Sequence, residues 1–278
     1  MKKIGLIINP VAGMGGSVGL KGTDGAMYSR ALEMGASPVT PLRAAAFLSH
    51  VKHRDGWLLL AGPGKMGEDV VRDSGIEYRV VSSIDGKKVT ADDTRRIARD
   101  MSEEADLIVF VGGDGTARDI CDAVGMKTPV IGVPSGVKMF GSVFAVNAMA
   151  AAEIVDSFLE SDTGISEKEV LDIDEAAYRE GRLNSKLYGY LRVPEVTGLV
   201  QSGKEATVSN GSSRENQAER ARYITENMDV ASLSLLGAGT TTAAIARRLG
   251  LEKTLLGVDA VSGGRLVAGN INEKKMLE

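Results

Sequence analysis

The chain is poor in the residues that would cross-link it or seat it in a bilayer. It has one cysteine, Cys121, so no internal disulfide can form, and a cytosolic setting fits. No apolar run reaches the length of a membrane span. Met1-Lys2-Lys3 leads straight into strand-like residues, without a signal-peptide pattern. The two histidines, His50 and His53, have no cysteine or carboxylate at metal-ligand spacing and read as structural or surface residues. Basic residues do not outnumber acids. The net charge of −4 argues against a general nucleic-acid surface.

Glycine, by contrast, is plentiful, with 34 in 278 residues, and it clusters after apolar runs. The length allows two domains. Leu107-Ile108-Val109-Phe110-Val111 reads as a buried parallel strand. Gly112-Gly113-Asp114-Gly115-Thr116 then forms a turn, and Thr116 to Val124 has helical spacing. Glycine allows positive φ and close approach of a ligand to the backbone. Free N–H groups at a helix start favour a phosphate. A carboxylate there would repel that phosphate unless it held Mg²⁺ or took a proton from an incoming hydroxyl. This combination points to phosphoryl transfer. The plainer reading is a tight strand-to-helix turn with Asp114 as a cap.

The same device recurs. Ile4 to Ile8 reads as the first strand and runs into Asn9-Pro10-Val11-Ala12-Gly13-Met14-Gly15-Gly16. Asn9 thus stands at a strand's C-terminal end, where open α/β sheets bind ligands. Pro129 to Val133 reads as a further strand, followed by Pro134-Ser135-Gly136-Val137-Lys138. Lys138 is a candidate for neutralising phosphate there. Ser232 to Leu236 ends in Gly237-Ala238-Gly239-Thr240, either a helix cap or a second polar wall for a nucleotide or acceptor. Trp57 to Leu60 and Tyr78 to Val81 complete the early strands, with helices expected at 43–51, 90–104 and 147–160.

Strands alternating with helices imply an α/β fold, a Rossmann-like parallel sheet with helices on both faces. Alternating patterns at 169–174 and 187–193 suggest antiparallel strands of a second, smaller α+β domain. The expected division is 1–163 for the nucleotide-binding domain and 164–278 for the second. Residues 202–216 read as a mobile loop, and 254–258 as a strand. Asn270 and Glu273 look like a capping box for a last helix that stops within about two turns. Such a helix either packs firmly on the body or belongs to a chain that continues.

The motifs NPVAGMGG, GLKGTDG, VGGDGTARD, GVPSGVKM, DIDEAAYREGRL, LYGYLRVP and LGAGTTTAAIA resemble those of the ATP-NAD kinase family. The nearest likeness is to a bacterial and archaeal branch that also resembles an accessory protein of acetoin catabolism. GGDGT is similar to the signature of a superfamily that includes NAD kinases, diacylglycerol and sphingosine kinases, and phosphofructokinases. The resemblance implies a nucleotide-binding α/β domain, a second domain and a homo-oligomer, with the cytoplasmic setting resting on the single cysteine. It also implies phosphoryl transfer from ATP, with Mg²⁺ or another divalent metal, to the 2′-hydroxyl of NAD or to another small hydroxyl metabolite.

By that resemblance Asp114 is the catalytic aspartate, as base or as metal ligand. Gly112, Gly113, Gly115 and Thr116 form its nucleotide-contacting turn, and Asn9, Gly13 and Gly16 the first glycine turn. NAD kinases carry a downstream Asn-Asp or Asn-Glu element for the acceptor, and the first domain has no such step. The acceptor is therefore open. A nucleotide-binding sensor or accessory protein without catalysis is the competing class. A lipid kinase is disfavoured, because no amphipathic basic helix points to a membrane.

Overall fold

Each apolar run read as an early strand is a strand of one sheet. These are β1 (Lys2–Ile8), β2 (Trp57–Ala61), β3 (Tyr78–Val80), β4 (Leu107–Gly112) and β5 (Val130–Pro134). The computed structural model of the chain describes residues 1–17, 26–53, 55–84, 86, 89–136, 139–161, 163–173, 185–201, 211–229, 231–254, 257–271 and 273–277. The five strands are all parallel, in the order β3-β2-β1-β4-β5. β1 and β4 run side by side in register from Ile4↔Leu107 to Ile8↔Val111. Every residue of β4 is buried, which is why its sequence is apolar without alternation.

The helices up to residue 160 are α1 (Met14–Ser17), α2 (Ala26–Glu33), α3 (Thr40–His50), α4 (Glu68–Val71), α5 (Ala91–Ser102), α6 (Asp114–Val124) and α7 (Ala148–Glu160). Right-handed crossovers put α3 and α4 on one face of the sheet and α5 and α6 on the other. α5 packs with α6, and α3 with α7. α5 starts where Thr90 and Asp93 cap one another reciprocally, and it buries Thr94, Ile97, Ala98 and Met101 at helical spacing. The Thr90 hydrogen bonds hold the Asp93 carboxyl below its usual range. Asn147 caps α7 by accepting from the Ala150 N–H at 2.9 Å. No helix among the described residues is long and apolar enough to cross a membrane.

The alternating segments pair as an antiparallel hairpin, β6 (Ile165–Ile173) and β7 (Ser185–Pro194). The hairpin docks along α6. Tyr188 donates its hydroxyl to Asp122 Oδ1 at 2.7 Å, and Gly189 sits against Cys121. The chain divides into two compact units. The first comprises Met1–Met14, Thr23–Ile173 and Ser185–Lys204, and the second Gly15–Gly22, Asp174–Asn184 and Glu205–Glu278. Contacts along α6 group the hairpin with the parallel sheet.

The second unit contains α8 (Gly211–Asn227), β8 (Ser234–Leu236), α9 (Thr240–Arg248), β9 (Val258–Ser262), β10 (Arg265–Ile271) and α10 (Glu273–Leu277). Its antiparallel sheet has the order β10-β9-β8, and its small core gathers Ala221, Leu236, Ile245, Ala246 and Val261. Three expectations change here. Residues 211–216 are the first turns of α8 rather than loop, while 202–210 lie outside the described residues. Of the strand read at 254–258, Thr254 and Gly257 are not strand residues, 255–256 lie outside the described residues, and β9 begins at Val258. Asn270 is a β10 residue at φ +51 whose N–H is taken by Asp259 Oδ1 at 2.6 Å, where a capping box would give it to Glu273.

Candidate active site

The strand order reverses between β1 and β4, because the chain leaves β1 toward β2 and leaves β4 toward β5. Open parallel sheets form a crevice at the C-terminal ends of such a pair. Asn9 stands there, its N–H donating to Val111 O at 3.0 Å. Its side chain is used at both ends. Oδ1 accepts from the Val11 N–H at 3.2 Å, which closes the turn on itself, and Nδ2 donates to Thr116 Oγ1 at 3.0 Å. Thr40, fully buried at the start of α3, donates its hydroxyl to the Asn9 carbonyl at 2.9 Å. The first glycine turn and the GGDGT turn are thereby joined by a direct hydrogen bond.

Two glycines are fixed by close approach. A Cβ on Gly112 would stand 2.4 Å from Thr116 Oγ1. A Cβ on Gly13, at φ +77, would stand 2.4 Å from the Ser135 carbonyl oxygen. Ser135 follows β5, and its N–H donates to Gly112 O at 2.9 Å. Three turns therefore meet at one end of the sheet, after β1, β4 and β5.

Asp114 opens α6 in their midst. Its Oδ1 accepts the Gly141 N–H at 2.9 Å and its Oδ2 the Phe140 N–H at 3.0 Å. The segment after β5 is thus pinned to the carboxylate. Ser142 continues it onto β6, with its N–H to Glu169 O at 3.0 Å and the Glu169 N–H to its Oγ at 2.9 Å. Phe144 then closes against Gly132 of β5, edge-on to Phe110 with ring centroids 5.4 Å apart. The chemistry available is a helix start with glycine backbone that phosphate can approach, and one carboxylate held in place by amides.

Among the described residues no three of His, Cys, Asp and Glu gather to hold a metal. A divalent ion would rest on Asp114 and on oxygens of the ligand itself, as Mg²⁺ commonly does with phosphates. Farther along α6, burial raises the Asp119 carboxyl above its usual range, although Arg95 pairs with it. Arg118 pairs with Asp172 of β6.

Of the residues singled out from sequence, Asn9, Gly13, Gly112, Gly113, Asp114, Gly115 and Thr116 come together here. Lys138 lies outside the described residues. Gly16 falls within α1 and is grouped with the second unit. Gly239, at φ +134, and Thr240 form the β8–α9 turn of the second unit, where Thr240 Oγ1 accepts from Gln217 Nε2 at 3.2 Å. The sequence did not point to the Phe140 and Gly141 amides, Ser135 or Thr40, whose partners are 23 or more residues away. Arg118 had a signal, its i+4 spacing from Asp114. An open cleft of about 310 Å³ lies at the opposite end of the strands, lined by Met1, Lys2, His53, Trp57, Leu159 and Glu160.

Two solved structures from Bacillus anthracis str. Sterne, both named for diacylglycerol kinase, are similar to this chain. Each has 17% identity over 63% of this chain and a TM-score of 0.30, with 46% and 47% of their own chains covered. The match thus spans about half the length of those proteins. No curated protein matches the chain. Residues 39–163 match the family described as the ATP-NAD kinase N-terminal domain, from the approach to α3 to just past the end of α7. That stretch, with the GGDGT turn inside it, is similar to the ATP-NAD kinase N-terminal domain.

Proposed function

We propose that this chain is a small-molecule kinase that transfers a phosphoryl group from ATP to a hydroxyl, with the 2′-hydroxyl of NAD as the first acceptor to try. The observation that carries this is Asp114 at the strand-order switch point, at the start of α6, among three converging glycine turns. Phosphoryl transfer needs positioning and charge neutralisation more than a strong base. Backbone N–H groups of Gly112, Gly113, Gly115 and Thr116 are suited to the donor phosphates, with the Asn9–Gly13 turn beside them. Lys138 supplies positive charge in this reading. A divalent ion such as Mg²⁺ would be held by Asp114 and would supply neutralisation of the phosphate charge. A cytoplasmic setting, which the single cysteine suits, and a closed homo-oligomer, on the strength of the family resemblance and the commonness of symmetric assemblies, belong to the same proposal.

One observation favours a second reading. Both Asp114 oxygens accept backbone amides, which is also what a purely architectural carboxylate would do. The chain would then bind nucleotide as a sensor or accessory protein without transferring phosphate. Thermal shift with ATP, NAD, NADP and a metabolite panel, with and without Mg²⁺, finds the ligands, since a ligand of the folded state raises the melting temperature. Incubation with ATP and each stabilising compound then separates the readings. A phosphorylated product supports the kinase. Nucleotide binding without any product supports the accessory protein, and no nucleotide binding overturns both.

A further inference from the structure

We propose that Arg118 is the guanidinium that engages the donor phosphates at the glycine turn, and that Asp172 holds it in reserve until they arrive. This inference rests on the nucleotide-binding reading above. Arg118 lies one helical turn after Asp114 and Gly115. Side chains on a helix lean toward its N-terminus, so Arg118 is directed back to that turn. There the guanidinium lies over glycine backbone, and a Cβ built on Gly115 would meet Arg118 Nη2 at 3.6 Å. Gly115 itself is exposed, so a ligand can reach the same place. Nη1 meanwhile donates to Asp172 Oδ1 on β6.

The pair is poised for exchange. The Arg118 and Asp172 side chains are 33% and 41% exposed, and an ion pair so open to water contributes little to stability. A guanidinium binds phosphate through two parallel hydrogen bonds and keeps its charge at any physiological pH, so a polyphosphate is the stronger partner. Arg95, by comparison, is committed to Asp92 and Asp119. The plainer role for Arg118 is to pin the β6–β7 hairpin to α6. The two roles differ in what loss of Asp172 should do. A pin fails when either partner is removed, whereas a phosphate ligand is released when its competitor is removed.

The test is calorimetric titration of ATP and AMP, with Mg²⁺, into the wild type, Arg118→Met, Arg118→Lys and Asp172→Asn. Arg118→Met is expected to weaken ATP binding about 10- to 100-fold, and AMP binding less. Arg118→Lys should recover part of the loss, because it keeps the charge without the fork. Asp172→Asn should tighten ATP binding, by about two- to fivefold. Wild-type ATP affinity in a folded Arg118→Met overturns the proposal. So does an Asp172→Asn protein that loses ATP binding as Arg118→Met does. If Arg118→Met fails to fold, Asp172→Asn alone decides, since the two roles predict opposite signs. A wild type that binds no nucleotide is a different result, and overturns the nucleotide-binding reading itself.

Discussion

Gly141 gives its backbone N–H to Asp114 Oδ1 at 2.9 Å, and a methyl group on its Cα would stand 3.3 Å from that same oxygen. The same methyl would stand 3.3 Å from the Glu169 carbonyl. Gly141 is therefore the spacer between the GGDGT carboxylate and β6. Gly141→Ala should destabilise the first unit by about 1–3 kcal/mol, as overpacking does, and displace Asp114. Urea unfolding measures the first effect. A variant as stable as the wild type would mean that β6 yields without strain.

Gly13 and Gly35 offer a paired test of the first glycine turn. Both have positive φ, +77 and +81. A Cβ at Gly13 meets the Ser135 carbonyl oxygen at 2.4 Å, whereas one at Gly35 meets nothing within 4 Å. Gly35→Ala should cost about 1–2 kcal/mol for the left-handed backbone alone. Gly13→Ala should cost clearly more, because its Cβ also strikes backbone. Equal unfolding midpoints would show that the turns after β1 and β5 are not in the close contact described.

A buried ion pair sets the pH response of the second unit. Lys253 Nζ and Asp259 Oδ2 are 3.5 Å apart, with side chains 2% and 1% exposed. Burial pushes the Lys253 amine below the usual lysine range, and Asp259 opposes the shift. The unfolded chain thus keeps this proton at pH values where the folded chain has begun to release it. The cost of burying the charge is fully present below the folded value and falls as pH rises through it, so this site's contribution rises into the alkaline range. Asp259→Asn leaves the ammonium without its counter-charge, at a cost of roughly 3–5 kcal/mol near neutrality. Part of that loss should return in alkaline buffer. Denaturant unfolding at the two pH values checks it, and a pH-independent loss would contradict it.

The readable parts of this chain were those whose causes are local. β4 shows itself as five apolar residues, β6 and β7 as alternation, and α5 as Thr90 with acids in its first turn. The Asn9 and Asp114 turns were legible because glycine, proline and a polar residue after a buried strand have few other uses. The errors at 254–258 and at Asn270 came where one side-chain carboxylate, Asp259, decides. Residues 254–258 carry strand-like residues, but Thr254 gives both its N–H and its hydroxyl to Asp259, so the strand starts later. Asp259 also captures Asn270, from 11 residues away, out of its expected cap. The β9–β10 hairpin did leave a local mark. Gly263 and Gly264, at φ +59 and +69 between apolar alternations, suit a two-residue turn whose backbone needs positive φ twice.

The central claim is that the Asp114 carboxylate serves phosphoryl transfer and does not merely hold a loop. Asp114→Asn tests it most directly, because the geometry protects the fold. Oδ1 alone lies within reach of both the Phe140 and Gly141 amides, at 3.2 and 2.9 Å, so an asparagine oxygen there keeps both contacts. The measurement is the rate of phosphate transfer from ATP to an acceptor that the wild type phosphorylates, NAD being tried first, alongside ATP affinity with and without Mg²⁺. The account predicts an intact melting transition and turnover lower by about 10²–10⁴-fold. Metal dependence of ATP binding should be lost only if Asp114 holds the ion. A folded Asp114→Asn protein that turns over like the wild type would contradict the account.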